Sequence, residues 1–191
     1  IKDERGLVLQ CKSEGPDFSF QLLLEPTKPA VWHGQNGILV MGWPEKSRER
    51  SFYYSFTSLK TSGKLVYGQA EIPVTGTAWF DRQWGQFSET AWDWFSLRLF
   101  DGRQMMLFAF PKTGFKTGTL VTREGQALPI SSFGYQRTGT EEYSASGLKY
   151  RLGWRVVLQS GEEFIIQPLL REQHNPAVHT PAYWEGLAEV L

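Results

Sequence analysis

The sequence predicts an all-β protein, and three observations lead to that prediction. Glycine, proline, serine and threonine interrupt the chain at intervals of roughly eight to twelve residues, a spacing typical of short antiparallel strands. The segments between them are short and rich in aromatic and β-branched residues, which favour strands. No segment combines apolar residues at helical spacing with capping residues. Such strands stack as a sandwich or close as a barrel, because both arrangements protect strand edges.

The first half of the chain contains an alternating strand and a predicted hairpin. The segment "DFSFQLLLE" places Phe18, Phe20, Leu22 and Leu24 on one face, with polar residues between them. The segments "SFYYSFTSL" and "GKLVYGQAEIPV" are joined through "KTSG". We therefore expect a hairpin whose turn contains Gly63.

The second half contains a stronger hairpin signal. Asp101 and Gly102 lie between the runs "WDWFSLRLF" and "RQMMLFAF", and an Asp-Gly pair between two such runs is typical of a tight turn. The polar segment "GQFSET", from Gly85 to Thr90, is the expected boundary between the two halves. The further predicted strands are "GTLVTREG", "YRLGWRVVL", "EEFIIQPLL" and "YWEGLAEVL".

The composition excludes several classes of function and favours an apolar ligand. Lys plus Arg and Asp plus Glu each number 20, so there is no basic excess to indicate a nucleic-acid partner. The single cysteine, Cys11, excludes an internal disulfide and a multi-cysteine metal site. No phosphate loop, dinucleotide fingerprint or zinc signature is present, so no cofactor is predicted. Eight tryptophans and an aromatic content of 15% favour an aromatic-lined cavity for a small apolar ligand.

The segment "GTAWFDRQWGQF" places an acidic residue between indoles. Regular alternation puts Trp79, Asp81 and Gln83 on one face of the strand and Arg82 and Trp84, with Phe80, on the other. An inward-facing Asp81 beside an indole is desolvated, which suits it to general acid catalysis. The alternative is a structural carboxylate that pairs with a nearby arginine.

A second carboxylate, Asp93, has a similar setting in "WDWF". Trp92 and Trp94 are expected to face away from Asp93 and Phe95. Two carboxylates near one cavity divide acid and base roles in many enzymes. The alternative is a hydrogen bond from Asp93 that holds two strands together.

Other candidates carry ring nitrogens, hydroxyls or a carboxylate. His33, in "VWHGQNG", is able to shuttle a proton or polarise a ligand at neutral pH, or to bond the backbone. Tyr53 and Tyr54 point to opposite faces, so at most one reaches an interior pocket. Glu185, in "YWEG", follows Trp184. The two other histidines lie in the proline-containing "REQHNPAVHTP", and their spacing predicts no metal site.

The order of these motifs resembles one family. The segments "HGQNG", "FYYSFTSL", "VTGTAWFDRQWGQF", "WDWFSLRLFDGRQMMLF" and "YWEG" are similar to those of the lipocalin-like family of carotenoid 1,2-hydratases (CrtC) and AttH proteins. The resemblance covers residues 7 to 190. It implies two lipocalin-like barrels in tandem, and in some members a cofactor-independent addition of water to a double bond of an acyclic carotenoid. Hydratases of plant-defence compounds and fungal cyclases are relatives.

The reaction expected from this resemblance indicates candidate catalytic and substrate-binding residues, and the resemblance also implies a location. Hydration needs a proton donor and a positioned water molecule, and the ionisable residues named above make Asp81, Asp93, Tyr53 and His33 the catalytic candidates. The substrate-binding candidates are Trp79, Arg82, Trp84, Trp92, Trp94, Tyr54, Trp184 and Glu185. A non-catalytic lipid or isoprenoid carrier of the AttH type is the alternative function. A periplasmic or membrane-peripheral setting is expected, with any targeting segment lying before this chain.

The chain departs from the family pattern in three places. Gln83 stands where the family has a glutamate, which removes one candidate proton donor. The tryptophan-tyrosine motif of the family's amino-terminal half and a closing strand after "YWEGLAEVL" are absent. Residues 1–84 are therefore expected to supply the remaining strands of an incomplete first barrel, and residues 85–191 the second barrel. A preceding segment or another copy of the chain is the expected partner that completes the first barrel.

Overall fold

A computed structural model describes residues 2–3, 6–7, 9–15, 17–41, 49–86, 91–139, 142–145, 147–176 and 182–191. All regular secondary structure in those residues is β-strand, and every pairing between strands is antiparallel. The all-β prediction is therefore confirmed. None of the described segments forms a helix long and apolar enough to cross a membrane.

The strands are numbered in chain order. They are β1 (Lys2–Asp3), β2 (Gly6–Leu7), β3 (Leu9–Glu14), β4 (Phe18–Pro26), β5 (Val31–Trp32), β6 (Ile38–Val40), β7 (Arg50–Tyr67), β8 (Ala70–Gly85), β9 (Asp93–Arg98), β10 (Gln104–Ala109), β11 (Lys116–Val121), β12 (Ala127–Ile130), β13 (Phe133–Arg137), β14 (Glu142–Ala145), β15 (Leu148–Arg151), β16 (Trp154–Leu158), β17 (Glu163–Pro168), β18 (His174–Asn175), β19 (Tyr183–Trp184) and β20 (Ala188–Val190).

A long hairpin made of β7 and β8 organises the first half of the chain. Strand β7 pairs with β8 along its length, and its other edge pairs in turn with β6, β5 and β4. Strand β3 extends this sheet beyond β4. The alternation predicted for "DFSFQLLLE" is present in β4, where Leu22 and Leu24 pack in one apolar cluster with Phe56 and Leu59.

The predicted turn at Gly63 is wrong. Strand β7 continues through Gly63 to Tyr67, and the chain reverses at Gly68, which has a φ of 58°. Gly63 instead lies where two backbones approach closely, because a Cβ atom built on it would be 2.1 Å from the carbonyl oxygen of Gln21. The sequence pattern does not distinguish a glycine that permits close approach from one that permits a turn.

Two four-stranded sheets form the second half. Their strand orders are β12-β11-β10-β9 and β13-β16-β17-β20, and short strands of this half pair as β14-β15 and β18-β19. In the first half, β1 pairs with β2. The predicted Asp101-Gly102 hairpin is confirmed, since it joins β9 to β10 and Gly102 has a φ of 90°. Positive φ is favourable at this position only for a residue without a Cβ atom.

Strand β10 lies between two apolar cores and is buried on both faces. Met105 and Leu107 belong to a core between the two sheets of this half. The other buried residues of this core include Phe95, Phe133, Trp154, Val156 and Ile166. Met106 and Phe108 belong to a second core, formed with Leu39, Met41 and Tyr53 from the first half. A strand buried on both faces has a nearly continuous apolar run, as "MMLFA" shows.

The second core joins residues from both sides of the predicted domain boundary. Strand β8 ends at Gly85 and β9 begins at Asp93, while residues 87–90 of the expected boundary segment lie outside the described residues. The division into residues 1–84 and 85–191 therefore stays a prediction. The packing of Tyr53 against Phe108, with ring centroids 6.2 Å apart, fixes the β7–β8 hairpin against the wall formed by β10.

Candidate active site

A cavity of about 1010 Å³ lies beside the two strands that end their sheets, β9 and β20. Its volume is at the upper end of the range of about 300–1,000 Å³ typical of small-molecule sites. Consecutive residues of β9 line it, because a cavity at a strand edge contacts both faces of the strand. The lining residues are Tyr53, Asp81, Gln83, residues 92–100, Phe108, Trp154, Ile166, Leu169 and residues 182–190.

Tyr53 and Asp81 form a hydrogen-bonded pair in the wall of this cavity. Strands β7 and β8 place Ser55 opposite Asp81 and Tyr53 opposite Gln83, so all four side chains share one face of the hairpin. The Tyr53 hydroxyl donates to Asp81 Oδ1 over 2.7 Å, and the Ser55 hydroxyl donates to the same oxygen. Trp94 Nε1 donates to Tyr53 Oη over 3.2 Å. Asp81 is therefore held by donors that carry no formal charge.

Buried His33 reaches Asp81 through Ser55. Its Nε2 lies 2.7 Å from Ser55 Oγ, and its Nδ1 lies 2.9 Å from Thr119 Oγ1. Because the Ser55 proton is donated to Asp81, Ser55 Oγ accepts from a protonated Nε2. In the neutral imidazole, Nδ1 is then the acceptor for the Thr119 hydroxyl. The hydrogen bonds from Thr119 to His33, to Ser55 and to Asp81 thus all point towards the carboxylate.

Burial keeps both ring-bearing partners of this network neutral. His33 has no exposed surface, and desolvation lowers its pKa to about 3. Burial, followed by the charge and hydrogen bond of Asp81, raises the pKa of Tyr53 well above its usual value. His33 is not among the residues that line the cavity. The structure therefore places His33 behind Ser55, where it orients the network without facing a ligand.

Gln83 lies beside Asp81 on the same face and also lines the cavity. Its Nε2 donates to Ser51 Oγ over 2.9 Å and lies 3.5 Å from Met41 Sδ. The Ser51 hydroxyl is directed to the same sulfur at 3.3 Å. This position thus presents a neutral amide with fixed partners next to the Tyr53–Asp81 pair.

Asp93 has different partners from Asp81. Arg137 donates to Asp93 Oδ2 from Nη2 at 2.7 Å and from Nε at 3.1 Å, and the Tyr135 hydroxyl donates to the same oxygen. The Asp93 side chain is 14% exposed. Burial, followed by the charge of Asp93, raises the pKa of Tyr135 above its usual value. These contacts join β9 to β13, as the structural alternative for Asp93 predicts.

Most of the other candidate residues lie in or next to the cavity. Trp92, Trp94, Trp184 and Glu185 line it, whereas Trp79 packs against the core that contains Tyr53 and Phe108. Trp184 Nε1 donates to the carbonyl oxygen of Arg171 over 2.7 Å. The predicted faces of β9 are confirmed, since Trp94 packs with the core that contains Tyr53 and Phe108, whereas Phe95 belongs to the core that contains Met105 and Leu107.

Three candidate substrate-binding residues lie elsewhere. Tyr54, Arg82 and Trp84 are on the opposite face of the β7–β8 hairpin from Tyr53 and Asp81, and none of them lines the cavity. Trp84 is 45% exposed, and the Arg82 guanidinium carbon lies 5.8 Å from the centroid of its ring. The Tyr54 ring packs edge to face on Trp84, with ring centroids 6.3 Å apart. The alternation that separates the two faces was visible in the sequence, but only the position of the cavity shows that these three residues are on the face away from it.

Sequence reasoning missed several residues of the site. Ser55 was detectable, because it lies two residues after Tyr53 on the same strand and so shares its face. Thr119, Tyr135 and Arg137 contact His33 or Asp93 across separations of more than 40 residues. No local pattern indicates such contacts.

The remaining histidines do not form a metal site in the described residues. His174 Nδ1 lies 3.2 Å from the Tyr150 hydroxyl, and the other candidate, residue 179, lies outside the described residues. Within the described ranges, no group of three or more His, Cys, Asp or Glu side chains is arranged to hold a metal ion.

A family model described as AttH-like matches residues 2–191. The chain belongs to the AttH-like family. This AttH-like chain is similar in fold to the crystal structure of a protein described as an AttH of Nitrosomonas europaea, with a TM-score of 0.83 and 27% sequence identity. The match covers 100% of this chain and 62% of the other. The resemblance inferred from the motifs and the lipocalin-like fold class are thereby confirmed.

Two further relatives of this AttH-like chain carry names of enzymes. The structure of kievitone hydratase from Nectria haematococca has a TM-score of 0.77 and 20% identity, over 96% of this chain and 64% of that one. Dehydratase asqC from Emericella nidulans is 26% identical over 136 residues, which are 69% of this chain and 35% of the relative. The chain thus spans less than two thirds of the length of each of these proteins and of the Nitrosomonas protein.

Proposed function

We propose that this AttH-like chain carries the acid-base centre of a cofactor-independent hydro-lyase that acts on a long apolar isoprenoid or polyene substrate. The hydrogen-bonded Tyr53–Asp81 pair in the wall of the aromatic-rich cavity carries the proposal. The similarity to a dehydratase supports the reaction class, because hydration and dehydration are one reaction in opposite directions.

Asp81 exchanges the proton in this proposal. In the hydration direction, the protonated carboxyl gives its proton to one carbon of a double bond, and the other carbon becomes cationic. The oxygen of a water molecule bonds to that carbon, and one water proton returns to the carboxylate, so that one H₂O is added. Tyr53 and Ser55 both bond to Oδ1 of Asp81, which leaves Oδ2 as the oxygen for proton exchange. Both hydroxyls orient the carboxyl group for that step.

The tryptophans beside the pair stabilise the cation. Trp92 and Trp94 line the same cavity as Asp81, and indole faces attract positive charge. Trp94 is also fixed by its hydrogen bond to Tyr53, so its ring has a defined position relative to the acid. Asp93 has no part in proton exchange, because the Arg137 guanidinium holds it in an ion pair.

The Asp81→Asn substitution tests this function. Purified protein is incubated with geranylgeraniol in H₂¹⁸O, and incorporation of ¹⁸O into the product is measured by mass spectrometry. We expect the wild type to incorporate ¹⁸O and the variant to lose at least about 100-fold of that rate, since a general acid contributes roughly 10²–10⁴-fold. The matched control is Asp17→Asn, at an exposed position outside the cavity lining. An equal rate in wild type and Asp81→Asn would exclude Asp81 as the acid.

The second candidate function is a non-catalytic carrier of lipid or isoprenoid. Gln83 favours it, because a neutral amide occupies the cavity wall beside Asp81 where a second acid would assist proton transfer. Binding of geranylgeraniol by the wild type with no ¹⁸O incorporation supports the carrier and contradicts the hydro-lyase.

A further inference from the structure

One polar atom in the cavity region lacks a partner among the described residues. Trp154 is 7% exposed and lines the cavity, and its Nε1 is buried with no hydrogen-bond acceptor in the described part of the chain. An unpaired donor in an apolar environment is destabilising, and a buried indole N–H therefore usually has an acceptor. The indole of Trp154 is thus a group whose partner has to be identified.

Its surroundings supply no acceptor. Phe95 packs edge to face on the Trp154 ring at 5.5 Å, and Trp184 lies 6.0 Å away. Ile166 is the register neighbour on β17. These three apolar neighbours also line the cavity, so the ring lies in its apolar wall. The indole N–H of Trp184 donates to a backbone carbonyl and that of Trp94 donates to Tyr53. Trp154 differs from these two cavity residues because its N–H has no such acceptor in the described part of the chain.

We propose that Trp154 Nε1 donates a hydrogen bond to an oxygen of the bound substrate. The substrate class is then a long apolar molecule that carries a hydroxyl or carbonyl oxygen, and not a pure hydrocarbon. This inference rests on the proposed function, because it takes the same cavity as the substrate site. It goes beyond that function by naming a group on the substrate and the residue that recognises it.

The position of Trp154 also separates the recognised oxygen from the reacting bond. Trp94 contacts Tyr53 on one face of β9, whereas Phe95 contacts Trp154 on the other face. Since β9 is an edge strand, a long ligand passes around its edge and reaches both sides. Binding of the substrate oxygen at Trp154 thereby determines which double bond of the substrate, counted from that oxygen, lies at Asp81.

A binding experiment tests the proposal without any turnover. The probes are farnesol and the hydrocarbon in which a hydrogen atom replaces the farnesol hydroxyl, and their dissociation constants are measured by titration calorimetry. We expect the wild type to prefer farnesol by roughly 3- to 10-fold, as for one neutral hydrogen bond. Trp154→Phe keeps the ring packing and is expected to reduce that preference to less than about 2-fold.

Trp79→Phe is the matched control. Trp79 Nε1 is also buried without an acceptor in the described residues, but Trp79 does not line the cavity, so this variant is expected to keep the preference. A second measurement uses the wild type alone, in which farnesol, and not the hydrocarbon, shifts the indole ¹H–¹⁵N resonance of Trp154.

Specific outcomes overturn the proposal. They are equal affinities for the two probes in the wild type, a preference that survives Trp154→Phe, a preference lost in Trp79→Phe, or no binding of either probe. Loss of ¹⁸O incorporation in Asp81→Asn bears only on the proposed function. The two proposals therefore fail separately.

Discussion

The Tyr53 hydroxyl lies 2.7 Å from Asp81 Oδ1, and Trp94 Nε1 donates to the same hydroxyl over 3.2 Å. Tyr53 is 2% exposed. Its hydroxyl connects Asp81 on β8 with Trp94 on β9, two strands that do not pair with each other. The Tyr53 hydroxyl therefore joins the acidic residue and an indole of the candidate site.

Tyr53→Phe is expected to destabilise the protein. The substitution leaves the indole N–H of Trp94 without its acceptor and removes one of the donors to Asp81. We expect the free energy of unfolding to fall by about 1–3 kcal/mol, measured by urea denaturation. Tyr54→Phe is the control, since Tyr54 is on the opposite face and outside the cavity, and a change within about 0.5 kcal/mol is expected there. Equal losses in both variants would contradict this role of Tyr53.

His33 makes stability depend on pH. Its pKa is lowered from 6.5 to about 3 in the folded protein, so the unfolded chain binds more protons between those values. Its contribution to stability is therefore complete above pH 6.5 and is lost as the pH falls towards 3. We expect a slope of about 1.4 kcal/mol per pH unit within that window. Urea titrations at several pH values measure the slope.

His33→Gln is the control for that slope. Gln keeps an N–H donor for Ser55 but does not titrate, so the pH dependence is expected to flatten in this window. In the wild type, ¹⁵N NMR is expected to show a neutral imidazole of His33 with its proton on Nε2. A His33 resonance that titrates near pH 6.5 would exclude the arrangement described for the network.

The Asp93–Arg137 ion pair is expected to support stability more than an exposed pair does. Arg137→Met leaves a carboxylate that is 14% exposed without its cation, and we expect a loss of roughly 1–3 kcal/mol in the free energy of unfolding. Arg155→Met is the matched control, because Arg155 and Glu163 form an exposed pair on β16 and β17. Such pairs contribute about 0–1 kcal/mol. A larger loss in Arg155→Met than in Arg137→Met would contradict the prediction.

Gly63→Ala is expected to be strongly destabilising. A Cβ atom at this position would lie 2.1 Å from the Gln21 carbonyl oxygen, so β4 and β7 would have to separate. We expect a decrease of more than about 2 kcal/mol in the free energy of unfolding, as for other overpacked positions. Gly76→Ala, on the neighbouring β8, has open space around the new Cβ and an ordinary φ, and it is expected to be neutral or stabilising. Thermal unfolding followed by circular dichroism distinguishes the two.

Much of the candidate site was predictable because strands alternate with a fixed period. The sequence placed Trp79, Asp81 and Gln83 on one face of β8, and two of these three line the cavity. The same rule separates Arg82 and Trp84 from that face. It was not sufficient to exclude them as ligand-binding residues, because alternation does not identify which face meets the cavity.

Glycine positions show a second limit. The Asp101-Gly102 turn follows from local conformational preference and is present as predicted. Gly63 has similar local surroundings but continues a strand, because the need for a glycine comes from the backbone of β4, about 40 residues earlier in the chain. A requirement that arises from a distant backbone leaves no local signal.

The sequence by itself determined the strand class, the family resemblance and the faces on which the two acidic residues lie, since each depends on short-range periodicity or motif order. Only the tertiary structure decided how Asp81 and Asp93 differ. Packing brings Asp81 the neutral hydroxyls of Tyr53 and Ser55, and brings Asp93 the guanidinium of Arg137. Arg137 lies 44 residues from Asp93 in the chain, and electrostatic partners at such separations are set by how the sheets pack.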